Sequence, residues 1–164
     1  MDRDIEYMRQ ALALAEQAAN MGEVPVGALV VDNASGEVIS SAYNLRETNK
    51  SSTAHAEILA IEEACRKRGG WRLGGCTLYV TLEPCPMCAG AIVNSRIVSV
   101  VYGASDKKAG AFGTLFDMNT FGLNHKPQIV GGVMERECAA LLSDFFAVLR
   151  ERRKNEKIAK KIEK

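Results

Sequence analysis

Near its start the chain carries apolar residues that return every three to four positions: Ile5, Met8, Leu12, Ala15, Ala18 and Ala19. That spacing predicts an amphipathic helix over residues 4–20, with Asp2 or Asp4 as its N-cap and Gly22 beyond its end. Residues 24–31 form a β-branched apolar run, which predicts a buried strand. Turn chemistry in Asn33-Ala34-Ser35-Gly36 separates it from a second strand over residues 37–43, so the pair predicts a hairpin.

Residues 44–52 are polar and loop-like. From Thr53 the period becomes helical, with Ile58, Leu59, Ile61 and Ala64 on one side, until Gly69-Gly70 closes the segment. Residues 76–82 predict a central strand, Pro84-Cys85-Pro86 breaks it, and residues 87–94 predict a short helix. Another apolar strand covers 97–102, and a short one covers 129–130. The glycine-rich stretch 103–126 is too long for an idle connector and is a candidate substrate loop. A final helix runs from 135 to about 153, striped by Cys138, Leu141, Leu142, Phe145, Phe146 and Leu149. Strands alternating with helices predict an α/β layered sheet.

Composition changes this picture little. The 164 residues fit a single domain, 1–164, large enough for a full core. No apolar run approaches the roughly 20 residues that cross a bilayer, and the first residues lack a signal-peptide layout. The expectation is a cytoplasmic protein without membrane association. Five cysteines, an odd set with two of them in a C-x-x-C, argue against a secreted disulfide framework.

Charge adds one feature. From residue 150 to 164 there are eight Lys/Arg and three Glu, a charge of +5. The other 149 residues hold 13 basic and 17 acidic groups, a charge of −4. Charge alone leaves this tail as either a phosphate contact or a solvated helix end.

The candidate chemistry lies in Thr53-Ala54-His55-Ala56-Glu57 and Glu83-Pro84-Cys85-Pro86-Met87-Cys88. One imidazole and two thiolates supply three N/S ligands and leave a fourth position open, the donor set of a catalytic zinc. Glu57 remains free to move protons on a water held there, first as base and then as acid. His-x-Glu followed by Pro-Cys-x-x-Cys is the signature of zinc-dependent nucleobase deaminases. A C-x-x-C alone would equally be a redox pair or half of a structural zinc site. The upstream His-x-Glu, a strand before each motif and proline on both sides of Cys85 argue against both. Cys65, Cys76 and Cys138 are expected as small buried hydrophobes, Trp71 as packing, and His125 as a loop residue or substrate contact rather than a ligand.

From about Tyr7 to Arg153 the chain resembles the bacterial tRNA-specific adenosine deaminases of the cytidine-deaminase-like superfamily. The resemblance is carried by Gly22-Glu23-Val24-Pro25-Val26-Gly27-Ala28, by the two metal motifs, and most clearly by Glu137-Cys138-Ala139-Ala140-Leu141-Leu142-Ser143-Asp144-Phe145-Phe146. It implies a three-layer α/β/α fold around a mixed, mostly five-stranded sheet. It also implies adenosine-to-inosine conversion at the wobble position of a tRNA anticodon stem-loop, by a homodimer. His55, Cys85 and Cys88 would then bind one Zn²⁺ per chain, and Glu57 would shuttle protons. Asn44 would hydrogen-bond the flipped base, Val26 and Ala54 would line its pocket, and Asp106 would contact the anticodon backbone. Phe145, Phe146 and Arg150 would lie by the neighbouring anticodon nucleotides. Where relatives often have Arg-Asp-x-Lys-Thr-Gly, this chain has Ser105-Asp106-Lys107-Lys108-Ala109-Gly110. Two other readings remain open: a free-base or nucleotide deaminase acting on guanine or cytosine, and a non-catalytic zinc-stabilised RNA-binding subunit.

Overall fold

A computed structural model describes residues 2–163. The elements run α1 (Asp2–Asn20), β1 (Gly27–Asp32), β2 (Val38–Tyr43), α2 (Ala56–Arg68), β3 (Cys76–Leu82), α3 (Pro86–Ser95), β4 (Ser99–Ala104), β5 (Gln128–Val130) and α4 (Glu135–Ile162). The strands form one sheet in the order β2-β1-β3-β4-β5. β1 is antiparallel to β2 and β3, whereas β3, β4 and β5 run parallel. This is the expected mixed sheet.

Alternation along the strands sorts side chains into two cores. Ala28, Val30, Leu78, Val80 and Val100 point to the layer made by α2 and α3, where Ala56, Ala60, Ala64, Ala89 and Ile92 meet them. Leu29, Val31, Tyr79 and Val101 point the other way, towards Tyr7, Met8 and Ala11 of α1 and Cys138 of α4. Both faces are covered, giving three layers. The second layer sits very close to the sheet. A Cβ on Gly27 would fall 2.0 Å from the Ala11 carbonyl oxygen, and one on Gly103 would fall 2.3 Å from Cys138 Sγ. Only glycine admits that approach.

Several boundaries differ from the sequence expectation. β1 begins at Gly27 rather than residue 24, because Pro25 has no N–H to give a ladder. β4 begins at Ser99 rather than residue 97, since the Ile97 carbonyl bonds His125 Nε2 instead of a strand. His125 is thereby a loop anchor. α4 continues nine residues past its expected end, to Ile162. Its Arg, Lys, Glu and Ala are good helix formers, and extending a nucleated helix needs no new nucleus. Only Cys138 of its apolar stripe is buried, and Phe146 is exposed. Trp71 does not pack in a core either: it is 52% exposed, with the Arg72 guanidinium 4.2 Å from its ring centroid. Cys65 is half-buried rather than buried, while Cys76 and Cys138 are buried as expected. No helix among the described residues is long and apolar enough to cross a membrane.

Candidate active site

Two helix N-termini meet at one edge of the sheet. His55 is the N-cap of α2 and Cys85 the N-cap of α3, both in extended backbone conformation. Neither side chain caps its own helix, so each is free to turn outward. Pro86 opens α3 with the missing N–H and fixed φ that suit a first turn. Cys88 follows one turn later and is fully buried. The positive ends of both helix dipoles converge there, favouring thiolate over thiol.

His55 Nδ1 lies 3.7 Å from Cys85 Sγ and 3.6 Å from Cys88 Sγ. All three ligand atoms fall within 4.8 Å of one another, a group that could hold a metal ion. A tetrahedral ion at ordinary zinc–sulfur and zinc–nitrogen distances needs N···S separations of about 3.6 Å. Both N···S separations match that ion. The protonation of the triad fits too. The Cys85 thiol is pulled down to about 4, chiefly by its hydrogen bond with Cys88 and then, against burial, by His55. The same bond, burial and Glu57 push Cys88 upward. The two sulfurs thus hold one proton between them, and a cation would take its place. The hydrogen bond with Cys85 raises the His55 pKa.

Glu57 stands in the first turn of α2 and is only 4% exposed. Burial pushes its carboxyl up to about 7, against the pull of the Cys88 thiol and the His55 imidazole. A carboxyl poised near neutrality both accepts and returns a proton easily.

Above the triad opens a cleft of about 580 Å³, with His55, Glu57 and Cys85 on its floor. Of the other residues expected at the site, Val26, Asn44, Asp106 and Phe146 line it. Ala54, within the 44–55 loop, is buried and does not line the cleft. Phe145 meets Phe146 edge-on at 5.6 Å, and Arg150 lies one helical turn beyond Phe146. The Asn44 amide donates to the Val24 carbonyl and accepts from the Arg46 N–H, leaving one N–H and one lone pair free. Asp106 Oδ1 caps its own loop by accepting from the N–H groups of Lys108 and Ala109.

Sequence reasoning missed the two carboxylates that shape the walls. Glu23, 1% exposed, accepts from the backbone N–H of Glu47 and Thr48, both at 2.9 Å. It ties residues 47–48, just past the Asn44–Arg46 wall, to the segment that follows α1. Glu83, 2% exposed, accepts from the N–H groups of Asp106, Phe112 and Thr114 and from the Thr114 hydroxyl. It ties the 105–114 wall to the end of β3, two residues before Cys85. Gly110 allows this packing, since a Cβ there would fall 2.4 Å from Glu83 Oε2. The one available signal was position: Glu83 stands between a strand end and a metal motif.

Every partner of Glu83 is a donor, so Glu83→Gln would turn an amide NH₂ towards two of them. The expected cost is about 3 kcal/mol of folding stability, because buried donors left unpaired cost ~1–3 kcal/mol each. Amide exchange at Asp106, Phe112 and Thr114 should accelerate as well. Denaturant unfolding and hydrogen exchange check this; native protection in the 105–114 segment would refute the anchoring role.

A three-layer fold with a His/Cys/Cys triad and a buried carboxylate beneath an open cleft defines a cytidine-deaminase-like hydrolase. The model of the MafB19-like deaminase family matches residues 2–150. The tRNA-specific adenosine deaminase of Bacillus subtilis is 53% identical over 155 residues, 94% of this chain and 95% of that protein. A solved structure from work on A-to-I editing by tRNA:A34 deaminases superposes with a TM-score of 0.77 at 41% identity. It covers 84% of this chain and 99% of that one. A guanine deaminase from Nitrosomonas europaea superposes with a TM-score of 0.73 at 28% identity, over 85% of this chain and 82% of that one. The chain belongs to the MafB19-like deaminase family, in its branch of tRNA-specific adenosine deaminases.

Proposed function

We propose that the protein converts adenosine to inosine at the wobble position of a tRNA anticodon, using one zinc ion held by His55, Cys85 and Cys88. The observation that carries this reading is Glu57, buried beside the triad on the floor of a cleft, in a chain 53% identical to a tRNA-specific adenosine deaminase.

When bound, zinc supplies a water nucleophile at neutral pH. Glu57 would accept a proton from the attacking water at a carboxylate oxygen and pass it to the purine N1. The carbon at position 6 thereby becomes more electrophilic. Glu57 then takes the remaining proton from the hydroxyl now on carbon 6 and passes it to the departing amine, so the C–N bond breaks as the carbonyl forms and water and adenosine give inosine and ammonia. Burial of Glu57 keeps both transfers away from bulk solvent. Asn44 lines the cleft with one N–H and one lone pair uncommitted, which would suit the edge of the base, and Val26 gives it an apolar wall.

The substrate class follows from the rim. Arg46, Lys107, Lys108 and Phe146 line the cleft around its polar floor. Cations and an aromatic face suit nucleotides flanking a base that has been turned out of its stack. Lys107 and Lys108 offset the Ser105 and Ala109 departures by keeping positive charge on that wall. Asp106 retains one uncommitted carboxylate oxygen, an acceptor suited to a sugar hydroxyl. Phe145 and Arg150 would meet the adjoining anticodon nucleotides. The whole chain would act as one deaminase domain, paired as a homodimer, in the cytoplasm where its tRNA is found.

The test is inosine formation in an anticodon stem-loop with adenosine at the wobble position, beside free adenine, guanine and cytosine. Inosine in the RNA alone is the expected result. Turnover of free guanine with silent RNA would move the protein to the free-base reading that the 28% identical neighbour represents.

A further inference from the structure

The last third of α4 belongs to neither core. Every residue from Arg150 to Ile162 is exposed, and the family model stops at residue 150. Yet this segment is a continuous helix in phase with the catalytic cleft. Leu142 and Phe146 line the cleft, and steps of three or four residues from Phe146 lead to Arg150, Arg153, Lys154, Lys157 and Lys161. Steps of that size stay on one helical face. The wall of the cleft therefore runs outward as a basic stripe, about 17 Å long from Arg150 to Lys161 at 1.5 Å per residue. Glu151, Glu156 and Glu163 fall off this face, while the exposed Ile158 and Ile162 flank its edge on the Lys154 side.

Two features separate this stripe from an ordinary solvated helix end. Cations in a last turn answer the helix dipole, and Lys160 and Lys161 are placed for that. The dipole acts only over that turn, so it does not account for the residues at 150, 153, 154 and 157. Nor are these cations spent on local acids. Among the described residues the ion pairs are Arg46–Glu47, Arg66–Glu63 and Arg68–Asp32, none of them on α4. The charge of +5 in residues 150–164 stands against −4 on the rest of the chain, so it is directed at something outside the molecule.

We propose that this stripe is a backbone-reading arm: it binds phosphates of the RNA stem next to the loop held in the cleft. The proposal rests on the RNA reading of the cleft and adds how far along the RNA the contact extends. Phosphate contacts of this kind set position and affinity without reading sequence. The arm should therefore act on KM and leave kcat alone.

The experiment compares the parent with a variant carrying Arg153→Gln, Lys154→Gln, Lys157→Gln and Lys161→Gln. A charge-matched control carries Arg9→Gln, Arg66→Gln, Lys126→Gln and Arg152→Gln, all exposed and off the stripe. Each is assayed on an anticodon stem-loop with a full stem and on one with the stem cut to two base pairs, across a range of salt. The stripe variant should raise KM on the full stem at least about tenfold at 0.1 M salt, with kcat unchanged. Losing four phosphate contacts to a duplex stem should lower the slope of log KM against log salt by about 3.6. On the cut stem, parent and variant should coincide, and the control should behave as the parent throughout. Unchanged KM and slope in the stripe variant would overturn the arm, as would equal weakening by the control. Loss of self-association with RNA affinity intact would make the helix a contact between copies of the chain instead. If no RNA is deaminated, the reading of the cleft fails, and stem-loop binding by fluorescence anisotropy decides the arm on the same comparisons.

Discussion

Glu57→Gln is expected to lower inosine formation by at least about 10⁴-fold, because one positioned acid–base group contributes ~10²–10⁴ and this one serves more than one proton transfer. The amide matches the carboxyl in size but cannot take up a proton. Fold and metal should survive. Glu57 is almost fully buried, and its carboxyl rises to about 7 because charge is disfavoured there. A neutral amide removes that penalty, so thermal stability should hold or rise, as is common where a site is arranged for chemistry rather than stability. Single-turnover kinetics, zinc content and a melting curve check the three parts together. A variant that kept a tenth of the parent rate would remove Glu57 from the proton path. One that was inactive and metal-free would make it a structural residue.

The second large effect comes from the metal itself. Chelation, or Cys88→Ala, is expected to reduce zinc from about one per chain to near none and bring turnover to background. Cys88 is buried in the first turn of α3 and has no solvent route to compensate its loss. Stability should fall as well, since a ligand present at a thousand times its dissociation constant contributes ~4 kcal/mol. For a chain of this size that corresponds to a Tm lower by roughly 10 °C. The chelated parent should recover both activity and Tm on adding zinc, whereas Cys88→Ala should recover neither. Full activity in protein shown to be metal-free would end the hydrolytic mechanism proposed for the triad.

Much of this architecture was legible one segment at a time. The strand-like runs at 76–82 and 37–43 and the helical period from Thr53 concern neighbouring residues, and local pattern is what a sequence displays. The two metal motifs were legible for the same reason. Cys85 and Cys88 are one helical turn apart, and His55 and Glu57 share the first turn of another helix, so each half-site is local. Breakers were legible where they act on their own segment, as with Gly69, whose φ of 71° ends α2.

Where two segments compete, boundaries moved. Residues 97 and 98 have strand composition, but the ladder of β4 starts at Ser99, opposite Thr77 of β3. Trp71 shows the same limit: an indole reads as core, yet the Gly69-Gly70 turn leads it out to the surface beside Arg72.

By itself, the sequence determined the element types, the residues able to hold a metal, and the carboxylate able to move protons. Each follows from spacing within a few residues. Only the tertiary structure decided that His55 stands 3.7 Å from Cys85 and 3.6 Å from Cys88 across thirty residues of chain. Only it decided that Glu23 and Glu83 are buried anchors of the two walls rather than surface acids. Only it brought the stripe of α4 into line with the cleft. The reason is common to all three: burial and convergence depend on which distant segments pack together, and no short stretch of sequence contains its own neighbours.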